Sequence, residues 1–103
     1  MYRYIRSVAK HYPIRLPDGS YTKFADGGTI TKARPIAGVG TNTELRVAIG
    51  LEQKYHVDRK FWSKWRGEGH VIQDGKAHRV ELHWYEARDK RYEIKVKKDF
   101  DVR

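Results

Sequence analysis

The chain has 103 residues, 22 Lys and Arg against 13 Asp and Glu, a formal charge of +9 and no cysteine. That length bounds it to a single domain over residues 1–103, and the missing cysteine excludes disulfides, thiolate metal sites and thiol nucleophiles. The charge excess points to an anionic partner, no apolar run is long enough to cross a membrane, and three Trp, seven Tyr and three Phe are too many aromatics for a disordered chain.

In chain order, residues 1–12 mix charge with Tyr and are expected to form a basic N-terminal arm or a short helix. Residues 1–6 have no apolar signal core, so no secretion signal is expected. Residues 13–16 and 20–24 flank Pro17-Asp18-Gly19, and Asp-Gly between alternating residues reads as a hairpin turn. A second turn, Asp26-Gly27-Gly28, leads into a strand over 29–37, which Pro35 places at a sheet edge. Thr41, with Glu44 three residues later, fits a capping box. A helix is therefore predicted over 42–57, with Leu45, Ala48, Leu51 and Tyr55 forming its apolar stripe. Asp58 would cap a further short turn carrying Phe61, Trp62 and Trp65. Strands are predicted over 66–73, 77–86 and 91–98, joined by a two-residue Asp74-Gly75 turn and a longer loop over 87–90. The expected fold class is α+β. One or more helices would pack on one face of an antiparallel sheet of about four strands, with a C-terminal three-stranded meander and an N-terminal hairpin.

Alternation splits the meander into two faces. Val80, Leu82, Trp84, Ile94 and Val96 form the apolar side. Arg79, Glu81, His83, Tyr85, Glu93, Lys95 and Lys97 form the other. The Asp74-Gly75 turn sets Gln73 opposite Lys76, hence His70 opposite Arg79, Glu68 opposite Glu81 and Arg66 opposite His83. Closing the next loop on Glu86 and Tyr92 brings His83 to Lys95 and Glu81 to Lys97, with directly paired Cβ atoms about 5 Å apart. The plain reading is a solvated sheet face with cross-strand ion pairs. Yet histidines, carboxylates, cations and a tyrosine on one surface are also the groups that metal-free RNA cleavage needs. A base takes the 2′-hydroxyl proton, an acid protonates the departing 5′-oxygen, and cations hold the phosphate.

The segments Trp65-Arg66-Gly67-Glu68-Gly69 through Asp74-Gly75-Lys76, then Glu81-Leu82-His83-Trp84-Tyr85-Glu86 and Glu93-Ile94-Lys95-Val96-Lys97, resemble C-terminal RNase toxin domains of bacterial polymorphic toxins and phage minor-head proteins. Lys23-Phe24-Ala25, Thr29-Ile30-Thr31 and Ala37-Gly38-Val39-Gly40-Thr41 are similar too, so the resemblance covers residues 13–98. It implies the fold shared by barnase, EndoU, RelE and the RNase colicins. It also implies metal-independent RNA cleavage, with tRNA among the targets, from the exposed sheet face. An acidic immunity or antitoxin protein is implied as partner. The site of action would be the bacterial cytoplasm, reached from a secreted or phage-borne parent protein. The helix placed after the 29–37 strand departs from that family's order.

The catalytic candidates are His83, Glu81, Arg66 and Lys95. His83 would act as acid or base, with Lys95 lowering its pKa. Glu81 would be its partner, or alternatively one half of an ion pair with Lys97. Arg66 would stabilise the pentavalent phosphate. Lys97, Tyr85, His70, Arg79, Lys32 and Arg34 are candidates for substrate binding. His70 lies roughly 13 Å from His83 along the strands, which disfavours a two-histidine mechanism. Trp62, Trp65 and Trp84 are read as core. No cofactor and no metal are expected, because His11, His56, His70, His78 and His83 lack a paired-ligand spacing. A monomer is expected. The alternatives are a noncatalytic basic nucleic-acid-binding module and a protein-interaction module for an acidic partner.

Overall fold

The computed structural model describes residues 3–7, 12–25 and 27–101. Its strands are β1 (Arg3–Ser7), β2 (Ile14–Arg15), β3 (Tyr21–Thr22), β4 (Thr29–Gly38), β5 (Ser63–Gln73), β6 (Lys76–Ala87) and β7 (Lys90–Asp99). Helix α1 (Ala48–Tyr55) and a 3-10 turn (Arg59–Phe61) lie between β4 and β5. All seven strands share one sheet in the order β1-β4-β5-β6-β7-β2-β3, mixed because β2 runs parallel to β7.

The expected α+β architecture is therefore overturned: the chain is mostly sheet, and the sheet covers its own apolar face. Past β3 the chain turns onto β5. Phe24 bridges Val71, Ala25 N–H donates to His70 C=O at 2.8 Å, and Ile72 N–H donates to Lys23 C=O at 3.0 Å. These pairings curl β5, β6, β7, β2 and β3 into a barrel-like closure. Ile14, Phe24, Ile30, Ala33, Trp65, Val71, Val80, Leu82, Trp84, Ile94 and Val96 fill its interior. Gly67 and Gly69 permit the curl. A Cβ on Gly67 would stand 2.7 Å from Ile30 Cγ2, and one on Gly69 would stand 3.0 Å from Leu82 Cδ1. Missing side chains on the inner face of a strand let the opposite wall approach.

The helix is shorter than the predicted 42–57, and no side chain caps it. Thr41 is drawn elsewhere: its hydroxyl donates to Gly38 C=O at 2.8 Å and accepts Thr43 N–H at 3.2 Å. This local turn competes with a capping box. Leu51, with Leu45, Ala48 and Tyr55, packs on Trp62, Ala87, Tyr85 and Tyr92 at one end of the outer sheet face, away from the main core. Asp58 does cap the 3-10 turn, accepting Lys60 N–H at 3.0 Å.

Strand β4 is interior, not an edge, since β1 and β5 flank it. Pro35 is tolerated because β1 pairs with β4 only as far as Ala33, and the β4–β5 register shifts between Pro35 and Ala37. Residues 3–7 form a strand where an arm or helix was expected. Residues 8–11, and Asp26 of the second turn, lie outside the described residues. The 87–90 loop is a tight turn, with Arg88 and Asp89 both at positive φ (52° and 66°) and Ala87 paired to Lys90.

Candidate nucleic-acid interface

The outer face is organised by cross-strand register. Arg34 pairs with Arg66, Arg66 with His83, His83 with Lys95, Lys95 with Arg15, and Arg15 with Tyr21. Residues in register point the same way. The result is one rung of four cations with His83 at its middle, crossing β4, β5, β6, β7 and β2. At a strand spacing of about 4.8 Å, the rung runs about 19 Å from Arg34 to Arg15. Inward-facing neighbours hold it in place: Ala33, Trp65, Gly67, Leu82, Trp84, Ile94, Val96 and Ile14 are all buried.

At the centre, one carboxylate joins two cationic groups. Glu81 Oε1 accepts from Arg66 Nη2 at 2.5 Å, and Glu81 Oε2 lies 2.8 Å from His83 Nε2. A carboxylate oxygen can only accept, so the neutral ring carries its hydrogen on Nε2. Nδ1 then keeps its lone pair, and it is buried with no hydrogen-bond partner among the described residues. Burial lowers the His83 pKa. Glu81 raises it, Lys64 and Lys97 lower it further, and the net direction is down. The lowering expected from Lys95 thus comes instead from burial and from those two lysines. Lys64 is itself lowered, first by burial and then by Lys95 and Lys97. Three lysines therefore surround the His83–Glu81–Arg66 group.

Lys64 was not recognised in the sequence. It lies opposite Tyr85 because β5 starts at Ser63, three residues before the predicted strand. Lys97 is near His83 but not opposite Glu81. Lys98 takes that register position, because the β6–β7 ladder shifts twice. The shift beside Tyr85 leaves Glu93 at φ 57°, unusual for a non-glycine residue. Its carboxylate turns to α1, where Oε2 accepts from Tyr55 Oη at 2.6 Å and from Lys54 Nζ at 2.9 Å. Burial opposes its ionisation, but these two donors outweigh it and lower the Glu93 pKa. Tyr85 is half-buried beneath this group, its pKa raised by burial and by Glu93.

The remaining candidates lie apart from His83. Arg79 donates to Glu68 at 2.9 Å and stacks on Phe100, 4.3 Å from the ring centre. His70 sits opposite Arg79. Lys32, at φ 55°, reaches Glu68 at 3.7 Å. His70, Arg79 and Lys32 thus belong to a Glu68-centred group further along the face. At the far end, His78, Asp99 and Asp101 have donor atoms within 4.8 Å of one another. Those donors are engaged internally: His78 Nδ1 is 2.9 Å from Asp99 Oδ2, and Asp101 Oδ2 accepts Arg79 N–H at 2.8 Å. No helix among the described residues is long and apolar enough to cross a membrane.

Comparison with family models, with curated proteins and with solved structures gave no match for this chain.

Proposed function

We propose that this domain binds single-stranded RNA across its outer sheet face and cleaves it without a metal ion. The supporting observation is the rung Arg34, Arg66, His83, Lys95 and Arg15, with Glu81 joining its two central members. The cations would track the phosphates. At the central phosphate, the His83–Glu81 pair would take the proton of the 2′-hydroxyl as that oxygen attacks phosphorus. The same pair would return a proton to the departing 5′-oxygen, leaving a 2′,3′-cyclic phosphate and a free 5′-hydroxyl. Arg66, Lys64, Lys95 and Lys97 would stabilise the charge that builds on the phosphoryl oxygens. On the toxin resemblance, an acidic immunity protein would cover this same face, and tRNA would be one target.

The noncatalytic binding module is favoured by a different observation. His83 is only 8% exposed, and both Glu81 oxygens are engaged, as in a structural ion pair.

Total RNA incubated in excess EDTA separates the two readings. Cleavage is expected, with cyclic phosphate ends and a loss of about 10²-fold or more in His83→Ala, RNA affinity remaining near the parent's. Tight binding without cleavage by the parent would move the protein to the binding module. Neither binding nor cleavage would leave the acidic-partner reading.

A further inference from the structure

A cleft of about 360 Å³ opens where the cationic rung ends. Arg15 and Lys95, the last two members of the rung, line it, with Tyr21 beyond them in register. Tyr55, Tyr85 and Glu93 line it as well. Aromatic walls beside a phosphate-binding track are what an unstacked base requires. Tyr21, which lines the cleft, is a large aromatic left 66% exposed.

Glu93 supplies the selective group. Both donors from α1 converge on its Oε2, which leaves Oε1 as an acceptor, and the side chain is 37% exposed. It reaches this position through a left-handed backbone in mid-strand, a strained conformation that concentrates at functional sites. We infer that this cleft seats a single nucleobase of the bound RNA and that Glu93 Oε1 selects bases carrying an exocyclic amino group over uracil. The inference rests on the outer face being the RNA site. Chemically, cytosine offers an N4 hydrogen to a carboxylate, while uracil presents a carbonyl oxygen that repels it.

Cytidine and uridine 3′-monophosphates share sugar and phosphate and differ only on one base edge, a 4-amino group and bare N3 against a 4-carbonyl and N3–H, so they are the probes, titrated against the whole domain by NMR. Tighter binding of the cytidine nucleotide by about tenfold is expected, with shifts at Tyr21, Tyr55 and Tyr85. Glu93→Gln should bring the two affinities together without weakening uridine binding, because an amide can both donate and accept. A Glu93 that only ties α1 to the sheet would instead weaken both equally. Tyr21→Ala, at an exposed position, should weaken both nucleotides by about tenfold through lost stacking. Equal affinities in the parent, a preference unchanged by Glu93→Gln, or shifts confined to residues outside the cleft would each overturn the inference. If RNA binds and is cut but nucleotides show no preference, the cleft falls and the outer-face reading stands. If nucleotides show the preference but RNA does not bind, the cleft stands and the proposed function falls.

Discussion

His83 is held between opposing influences. Burial, Lys64 and Lys97 favour the neutral ring, Glu81 favours the imidazolium, and the former outweigh it, so its folded pKa lies below the ordinary 6.5. Between that lowered value and 6.5 the unfolded chain binds more protons than the folded one. This contribution to stability is therefore complete above pH 6.5 and is lost as pH falls through the folded pKa. Urea midpoints should accordingly drop from pH 7.5 to pH 5.5, and His83→Gln should shrink that drop. A His83 ring that titrates at or above 6.5 by NMR contradicts the argument. Lys64 supplies a complementary test. Its charge is disfavoured by burial and by Lys95 and Lys97, so the free protein holds a cation it would be more stable without. Lys64→Met should raise Tm by a few degrees while weakening RNA binding, the trade expected where stability has been given up for a site. A lowered Tm would mean that Lys64 is structurally satisfied.

Each element shows why part of the fold was legible and part was not. The Asp74-Gly75 turn is a local signal, and it pins the β5–β6 register, so Arg66 opposite His83 follows directly from the sequence. The next hairpin turns on Arg88-Asp89, a pair without glycine or asparagine. Its ladder shifts at Glu93 and again between Leu82 and Glu81, and the second shift makes Lys98 rather than Lys97 the partner of Glu81. The helix is shorter than its sequence pattern predicts: Thr41 and Glu44 match a capping box, whereas the Thr41 hydroxyl is held by Gly38 and Thr43. Barrel closure was illegible, since the pairing of residues 23–25 with 70–72 joins segments far apart in the chain. Its trace in the sequence is the spacing of Gly67 and Gly69, inward-facing positions of a strand with no side chain. Gly67→Ala would place a methyl 2.7 Å from Ile30 Cγ2 and 3.0 Å from Trp84 Cη2, within a packed core. Overpacking of this kind costs about 1–3 kcal/mol, readable as a lower urea midpoint with unchanged slope. Stability equal to the parent's would show that the curl does not depend on that close approach.

For the whole molecule, the question is whether +9 acts as a diffuse field or as an ordered track. A diffuse field attracts any polyanion and depends weakly on which cation is removed. The rung makes a sharper demand. Arg34, Arg66, Lys95 and Arg15 share one line across five strands, so a single RNA strand laid along it would neutralise about four phosphates. Each phosphate releases condensed counterions, and for single strands log K falls with log salt at about −0.7 per contact, giving a slope of about −3. Arg15→Ala, at an exposed end of the rung and outside the barrel core, should reduce that slope by about 0.7. A charge of the same sign outside the rung, such as Lys60 in the 3-10 turn, where it lies over the Phe61 ring, should leave the slope unchanged when replaced by Ala. Affinities measured from 50 to 300 mM salt discriminate the cases. Equal slope changes for Arg15→Ala and Lys60→Ala would identify a diffuse field. A change confined to Arg15 would mean that the sheet register, which aligns these side chains on neighbouring strands, is what turns net charge into a binding site.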